Sequence, residues 1–596
     1  MSHPLQTRNS TPHCFYRFFP ALYAACTLII LFGYVRYDPY KIDGDAVSYM
    51  DISSSILHGR WHEAVNGIWN PGYPALLALG KLLTHADRFH ELQVFYWVNY
   101  FVYCLAIACA TYLVQSILNI RSTYTQETPS PYTWSISSPA LYIAAYSIVF
   151  YSWQMEFSIG NVHVDGLFAA MMLLAVACLL RVVFIGSMPS SIGAGVALGI
   201  AYWVKSPGFV LGMLLLIGFY IFQRVFPQSS RAPKLLLASM IVFFLIIAPY
   251  VTALSLQKGR LDWGDSASLN YAWYVSGSEP VHILNDQPWR FGNASVHLLH
   301  PEKKILSDPV IVEYSHFPNA SDGAWIDPSY YHDGTIPHFN LKLQIHIFLQ
   351  QSRRFAVFLI AHGIFLIVLA LYIGWLCFTF PIGWPRALLL LIWTELLFIC
   401  AMYVAIHFTD RYVSGFYWIA WITTLGFFSS DILSSKERHF IEAPVLLLSA
   451  IILLLGLHAV IKDREASIFA SRTYGWYQQD VFQLAKELPL HGIIPGSKVV
   501  CFYSEGGSAY WARLAAVHIT AAIYDTRYLH DAESSNLAWE SLPNKATIFQ
   551  ALHQAGIIGI VGWFDFPPTQ DQLWIHLTGH YYLAPVLANE NLPTAH

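Results

Sequence analysis

Lys41-Ile42-Asp43-Gly44-Asp45-Ala46-Val47-Ser48-Tyr49 follows closely on the first apolar segment of this chain. Further on comes Trp61-His62-Glu63-Ala64-Val65-Asn66-Gly67-Ile68-Trp69-Asn70-Pro71-Gly72-Tyr73-Pro74, aromatic and polar together, before the chain turns apolar again. Asp43 and Asp45 stand one residue apart in a chain where only 12% of residues are charged. Acids at a membrane edge are costly to desolvate and tend to serve chemistry or ion binding. A solvated turn with a helix cap would use the same residues. A carboxylate held in a fixed, partly dry place can also take a proton from a hydroxyl. Two close carboxylates can hold a divalent cation, and His62 and Glu63 would supply further ligands.

The composition makes the surroundings of that stretch a membrane. Hydrophobic residues are 55% of 596, aromatics 16%, and mean hydropathy is +0.44. A soluble surface needs far more charge. Apolar runs of bilayer length give about eleven spans, near 18–36, 92–118, 134–153, 164–186, 190–204, 207–225, 234–256, 355–379, 386–406, 413–430 and 442–461. The fifth holds Gly193, Gly195 and Gly199, which suits a tilted or partly re-entrant helix. Lys and Arg are divided between the two sides, so the positive-inside rule does not choose an orientation. The N-terminus is placed inside, which leaves many cations outside, where an anionic lipid group would give them a partner. No cleaved signal peptide is read at the start. Net charge is −4, and no basic tract points to nucleic acid. Most of the eight cysteines fall in spans, with no disulfide framework or zinc spacing.

Three pieces lie outside the spans: the loops 37–91 and 257–354 and the terminal segment 463–596. Residues 1–462 therefore read as a transmembrane domain and 463–596 as a soluble α/β domain. In the first loop, Ala46–Leu57 has the spacing of a short amphipathic helix at the interface, with Asp45 capping its start. Gly72–Leu83 predicts a second. The loop 257–354, rich in His, Asp and aromatics, has the length of a functional or inserted segment. In the terminal segment, Lys498–Tyr503, His518–Tyr524 and Ile557–Val561 predict strands, and Ala509–Leu514 and Ile548–Ala555 predict helices. Gly506-Gly507 is too little for a nucleotide fingerprint. Asn293-Ala294-Ser295 and Asn319-Ala320-Ser321 fit the glycosylation sequon.

The acidic start followed four residues on by Tyr, then Gly59 and the turn Asn70-Pro71-Gly72-Tyr73-Pro74, resembles the first external loop of GT-C glycosyltransferases. The branch is that of protein O-mannosyltransferases and lipid A aminoarabinose transferases. The matching residues are Asp45, Tyr49, Gly59, Asn70, Pro71, Tyr73 and Pro74. That family has Asp-Glu at the start, where this chain has Asp45-Ala46. The register from Tyr49 favours Asp45 as the catalytic acid, with Asp43 as the other candidate. His407-Phe408-Thr409-Asp410-Arg411-Tyr412 is similar to a late-loop Arg-Tyr in such enzymes. Arg suits phosphate because its planar fork donates in pairs.

The resemblance implies a polytopic α-helical membrane enzyme of the cell envelope, with the terminal domain on the extracytoplasmic side. It would move a sugar from a polyprenyl-phosphate donor to a hydroxyl of a glycan, lipid or protein, with Asp45 as base. Arg411, Lys205, Arg353 and Arg354 are candidates for the donor phosphate. Tyr49, His62, Asn70, Tyr73, Glu156, Asp165 and His407 are candidates for substrate contact, Asp165 also reading as a helix cap. Trp61, Trp69 and Tyr73 could stack on sugar faces. Beyond a possible divalent cation, no cofactor is implied. A transporter or lipid flippase would show related halves and midplane sites, whereas the acids here gather at one face. A non-catalytic assembly protein of the same fold is the remaining alternative.

Overall fold

The computed structural model describes residues 18–37, 42–127, 133–134, 136–276, 299–361, 383–427, 429–430, 438–473, 479–502, 509–524, 539–540, 542, 544–564, 566–568 and 573–586. Among these, seven helices are long and apolar enough to cross a bilayer: Phe19–Arg36, Glu91–Thr123, Asp165–Ile185, Gly208–Val225, Ala232–Lys258, Trp384–Val404 and Glu442–Lys462. The chain is an integral membrane protein, mostly helical, with a terminal sheet. Three more expected spans are helices of other character. Ser138–Ser152 is short and runs into a single π-helical turn, Trp153–Phe157. Asp410–Phe427 is buried along nearly its whole length. Met188–Val204 is one continuous helix, which replaces the re-entrant reading. Its glycines serve packing: a Cβ on Gly195 would come within 2.5 Å of the Ser239 carbonyl on helix Ala232–Lys258. Of the expected span 355–379, residues 362–379 lie outside the described residues. The helix that enters it starts well before, at Leu341.

The first loop forms helices Gly44–Leu57 and Gly72–Thr84. The former does not lie on a surface by one face. Residues Ala46 to Ser53 are all buried. Val47 and Met50 join the core of the helical bundle, and Ile52 packs with Val312, Tyr314 and Phe317 of the 257–354 loop. The amphipathic pattern is weak because both sides are covered. Gly72 is required by contact: its Cβ would meet the Trp203 carbonyl at 2.6 Å.

The terminal segment builds a seven-stranded sheet in the order Lys303–Ser307, Val310–Glu313, His518–Tyr524, Lys498–Phe502, Gly559–Trp563, Tyr581–Pro585, Ile575–Thr578. Lys498–Phe502 is parallel to both neighbours, and the remaining pairs are antiparallel. The first two strands come from the 257–354 loop, so loop and terminal segment share one sheet. Helices Tyr510–Ala515 and Lys545–Gln554 stand where the sequence predicts them. Gly506-Gly507 and the sequon at Asn293 lie outside the described residues.

Candidate functional site

Asp43, rather than Asp45, caps helix Gly44–Leu57. It is extended at φ −110°, and its Oδ1 accepts from the Ala46 N–H at 2.8 Å. That is the N-cap pattern, in which the side chain satisfies a free donor of the first turn. The remaining Asp43 oxygen, Oδ2, lies 3.3 Å from His163 Nε2. Asp45 falls in the first turn, freed from capping, and turns into a cavity of about 120 Å³. Its Oδ1 accepts from Trp325 Nε1 at 3.1 Å, and its Oδ2 is 3.7 Å from Arg411 Nη2.

The two acids are electrostatically unlike. Burial disfavours the Asp43 charge, but His163, the Ala46 N–H and Arg411 outweigh it and hold the carboxyl at about 2. Burial, and then the Asp43 charge, push Asp45 above the usual carboxylate range, against His163, Arg411 and Trp325. Asp45 is thus the better proton acceptor of the pair.

Asp165 opens helix Asp165–Ile185, whose N-cap is Val164 without a side-chain cap bond. It is 3% exposed and pairs with Lys205 Nζ at 2.6 Å and Arg411 Nε at 3.3 Å. Its place is between two cations, which corrects the capping reading. Lys205 also sits 3.6 Å over the Tyr412 ring, a cation–π contact. The cavity is further lined by Tyr49, Asn70, His407, Trp69, Trp273 and Trp325. The Asn70 amide donates to the Tyr202 carbonyl at 2.7 Å. His407 stacks on Tyr274 at 4.3 Å, and burial, with Arg354 and Arg411, pulls it down to about 4.

Other candidates stand elsewhere. His62 has 82% of its side chain exposed and lies 3.8 Å from Glu63, which accepts from Ser55, Arg60 and Asn319. These two therefore are not ligands beside the aspartates; that position belongs to His163. Ligand atoms of Asp43, Asp45 and His163 lie within 4.8 Å of one another, a spacing a divalent cation could bridge. Tyr73 is fully buried and donates to Asn99 Oδ1 at 2.7 Å, one layer behind Tyr49. Trp61 is 63% exposed. Arg353 and Arg354 line a separate, open groove of about 620 Å³ with Glu156, Val357, Phe358 and Phe408. Arg411 lines both the groove and the cavity.

Trp325, Trp273 and Tyr274 come from the 257–354 loop, whose aromatic content is the only sign of them in the sequence. Tyr412 is the tyrosine of the Arg-Tyr pair itself. His163 sits two residues before Asp165, with nothing in the sequence to tie it to Asp43.

No protein family model and no curated protein sequence matches the chain. Solved structures do. ArnT from Cupriavidus metallidurans bound to undecaprenyl phosphate superposes with a TM-score of 0.52 at 12% identity, over 96% of this chain and 99% of that one. The archaeal oligosaccharyltransferase AglB from Archaeoglobus fulgidus, in complex with an inhibitory peptide and a dolichol-phosphate, gives 0.45 at 11%, over 92% and 70%. ArnT in the apo state gives 0.41 at 11%, over 97% and 99%. The chain has the GT-C fold that its first loop resembles.

Proposed function

We propose that this protein is a membrane glycosyltransferase that moves a sugar from a polyprenyl-phosphate donor to an acceptor hydroxyl on the extracytoplasmic side. The observation that carries the reading is the position of Arg411. It lies beside Asp45 in the cavity and also lines the groove with Arg353, Arg354 and the apolar Val357, Phe358 and Phe408. A lipid phosphate fits such a groove by both of its parts, chain on the apolar wall and phosphate on the guanidinium groups. ArnT, whose fold this chain shares, was solved with undecaprenyl phosphate, which supports the same reading.

The acceptor oxygen attacks the anomeric carbon as its proton passes to Asp45. The bond from that carbon to the phosphate oxygen breaks, its electron pair stays on the phosphate, and the anomeric centre inverts. Arg411 and the Arg353–Arg354 pair offset the charge growing on the leaving phosphate. Asp165, itself paired with Lys205, holds Arg411 from behind. The ionised Asp45 also stabilises oxocarbenium character at the carbon. Trp69 and Trp273 offer apolar ring faces to the sugar.

The test is transfer from a panel of polyprenyl-phosphate sugars by protein reconstituted in vesicles. Asp45→Asn is expected to cost about 100-fold or more in kcat, the range for a general base. Transfer by Asp45→Asn at the wild-type rate would sink the assignment.

A further inference from the structure

Asp45 is tied to the terminal domain by two routes that cross at Asp51. The first runs through Arg513, on helix Tyr510–Ala515, which is 2% exposed. Its Nη1 meets Asp51 Oδ1 at 2.6 Å, and its Nη2 donates to Ser54 Oγ at 2.9 Å. Asp51 and Ser54 belong to the helix that begins beside Asp45. The same guanidinium holds Glu91 in bidentate fashion, at 2.6 and 2.8 Å, and Lys81 closes on Glu91 at 2.6 Å. A guanidinium spread over three acceptors fixes a direction as well as a distance. Asp45 lies six residues before Asp51, roughly 9 Å along a rigid helix.

The second route runs through Trp325. Residues Ser321 to Gly323 add to the edge of the strand His518–Tyr524. The Ile519 N–H donates to the Ser321 carbonyl at 2.9 Å, and the Gly323 N–H to the Ile519 carbonyl at 3.0 Å. Ser321 is also bound to Asp51 through its N–H and hydroxyl, at 2.7 and 2.9 Å, so the routes cross there. Four residues after Ser321, Trp325 donates from Nε1 to Asp45 Oδ1, while its carbonyl accepts from Ser48 Oγ at 2.9 Å and Trp69 Nε1 at 3.0 Å. One carboxylate oxygen is thereby occupied, and Oδ2 is left toward Arg411.

We propose that the terminal domain is a positioning part of the transfer site, acting on Asp45 through Arg513 and Trp325. This rests on Asp45 being the base. Trp325 sets the rotation of the carboxylate, and Arg513 sets the seat of the helix that carries it. Neither is among the groups assigned above to the donor phosphate, so both are expected to act on the chemical step rather than on lipid binding.

The experiment uses full-length protein in vesicles with the polyprenyl-phosphate sugar that the wild-type protein consumes. Trp325→Phe keeps an aromatic ring and removes the N–H. Arg513→Lys keeps the charge and removes the fork. Each is expected to lower kcat about ten-fold and to leave the donor KM within about two-fold, the pattern of an interaction felt in the transition state. Folding is read in parallel by thermal unfolding in detergent. If Arg513→Lys does not fold, Trp325→Phe decides alone. Folded Trp325→Phe with wild-type kcat overturns the proposal, and so does a raised KM with unchanged kcat. If Asp45→Asn is inactive and Trp325→Phe is not impaired, only the positioning role fails. If Asp45→Asn itself is fully active, the base reading fails and takes this one with it.

Discussion

The pair Asp43-Gly44-Asp45 divides its work by a backbone hydrogen bond. A helix start leaves free N–H groups, and the residue just outside the helix is placed to accept one of them. Asp43 occupies that position and gives Oδ1 to Ala46, so Asp45 is carried round into the cavity with no backbone donor to satisfy. Serine can replace the cap but not a base. Asp43→Ser should therefore keep transfer within about ten-fold of wild type, whereas Asp45→Asn loses the range of a general base. Steady-state transfer by both variants in one preparation checks this. Equal losses would mean that the two carboxylates act as one unit, as a bridged cation would require.

At the scale of elements, the segment from Ser321 to Trp325 shows how a tight turn aims a side chain. Asp322 Oδ1 accepts from the Ala324 N–H at 3.2 Å and folds the chain so that Trp325 faces Asp45. Burial pushes Asp322 up from 3.8 to about 6, against the N–H groups of Ala324 and Trp325. Between those values the folded protein binds a proton at Asp322 that the unfolded chain does not. This contribution to stability is present at low pH and is lost as pH rises through about 6. Asn keeps the acceptor oxygen and carries no charge. Asp322→Asn should therefore unfold at a higher temperature than wild type near about pH 7, with the difference shrinking toward about pH 4. Thermal unfolding of both proteins over that range measures it, and a constant difference would refute it.

The same segment marks the limit of what its residues disclose in sequence. The helices were legible because a bilayer imposes their length. The strands Lys498–Phe502 and His518–Tyr524 were legible as bounded apolar runs. Ile575–Thr578 and Tyr581–Pro585 mix polar and aromatic residues with both faces unevenly buried, so no clean alternation announces them. In the site, Asp45, Tyr49 and Arg411 stand in recognisable local patterns. Trp325 meets Asp45 across 280 residues of chain, and no local spacing encodes such a contact.

At the scale of the whole molecule, packing restricts topology where charge counting does not. Positive residues are divided between the two sides of the bundle, but helix Gly44–Leu57 is bound to Arg513 and to Ser321, which pairs with Ile519. The first loop, the 257–354 loop and the terminal domain must then lie on one side of the bilayer. The turn at residues 226–231, between helices Gly208–Val225 and Ala232–Lys258, must lie on the other, because the start of the first helix follows Lys205 and Ser206 in the cavity. Single cysteines at Trp61, 63% exposed, and at Leu490, 81% exposed, should react together with a membrane-impermeant maleimide in sealed vesicles of one orientation. A cysteine at the exposed Arg231 should react only in vesicles of the opposite orientation. The native cysteines are replaced first, since six of them are free thiols among the described residues. Labelling of Trp61→Cys and Leu490→Cys from opposite sides would contradict the ion network itself, because Arg513 cannot reach Asp51 through a bilayer.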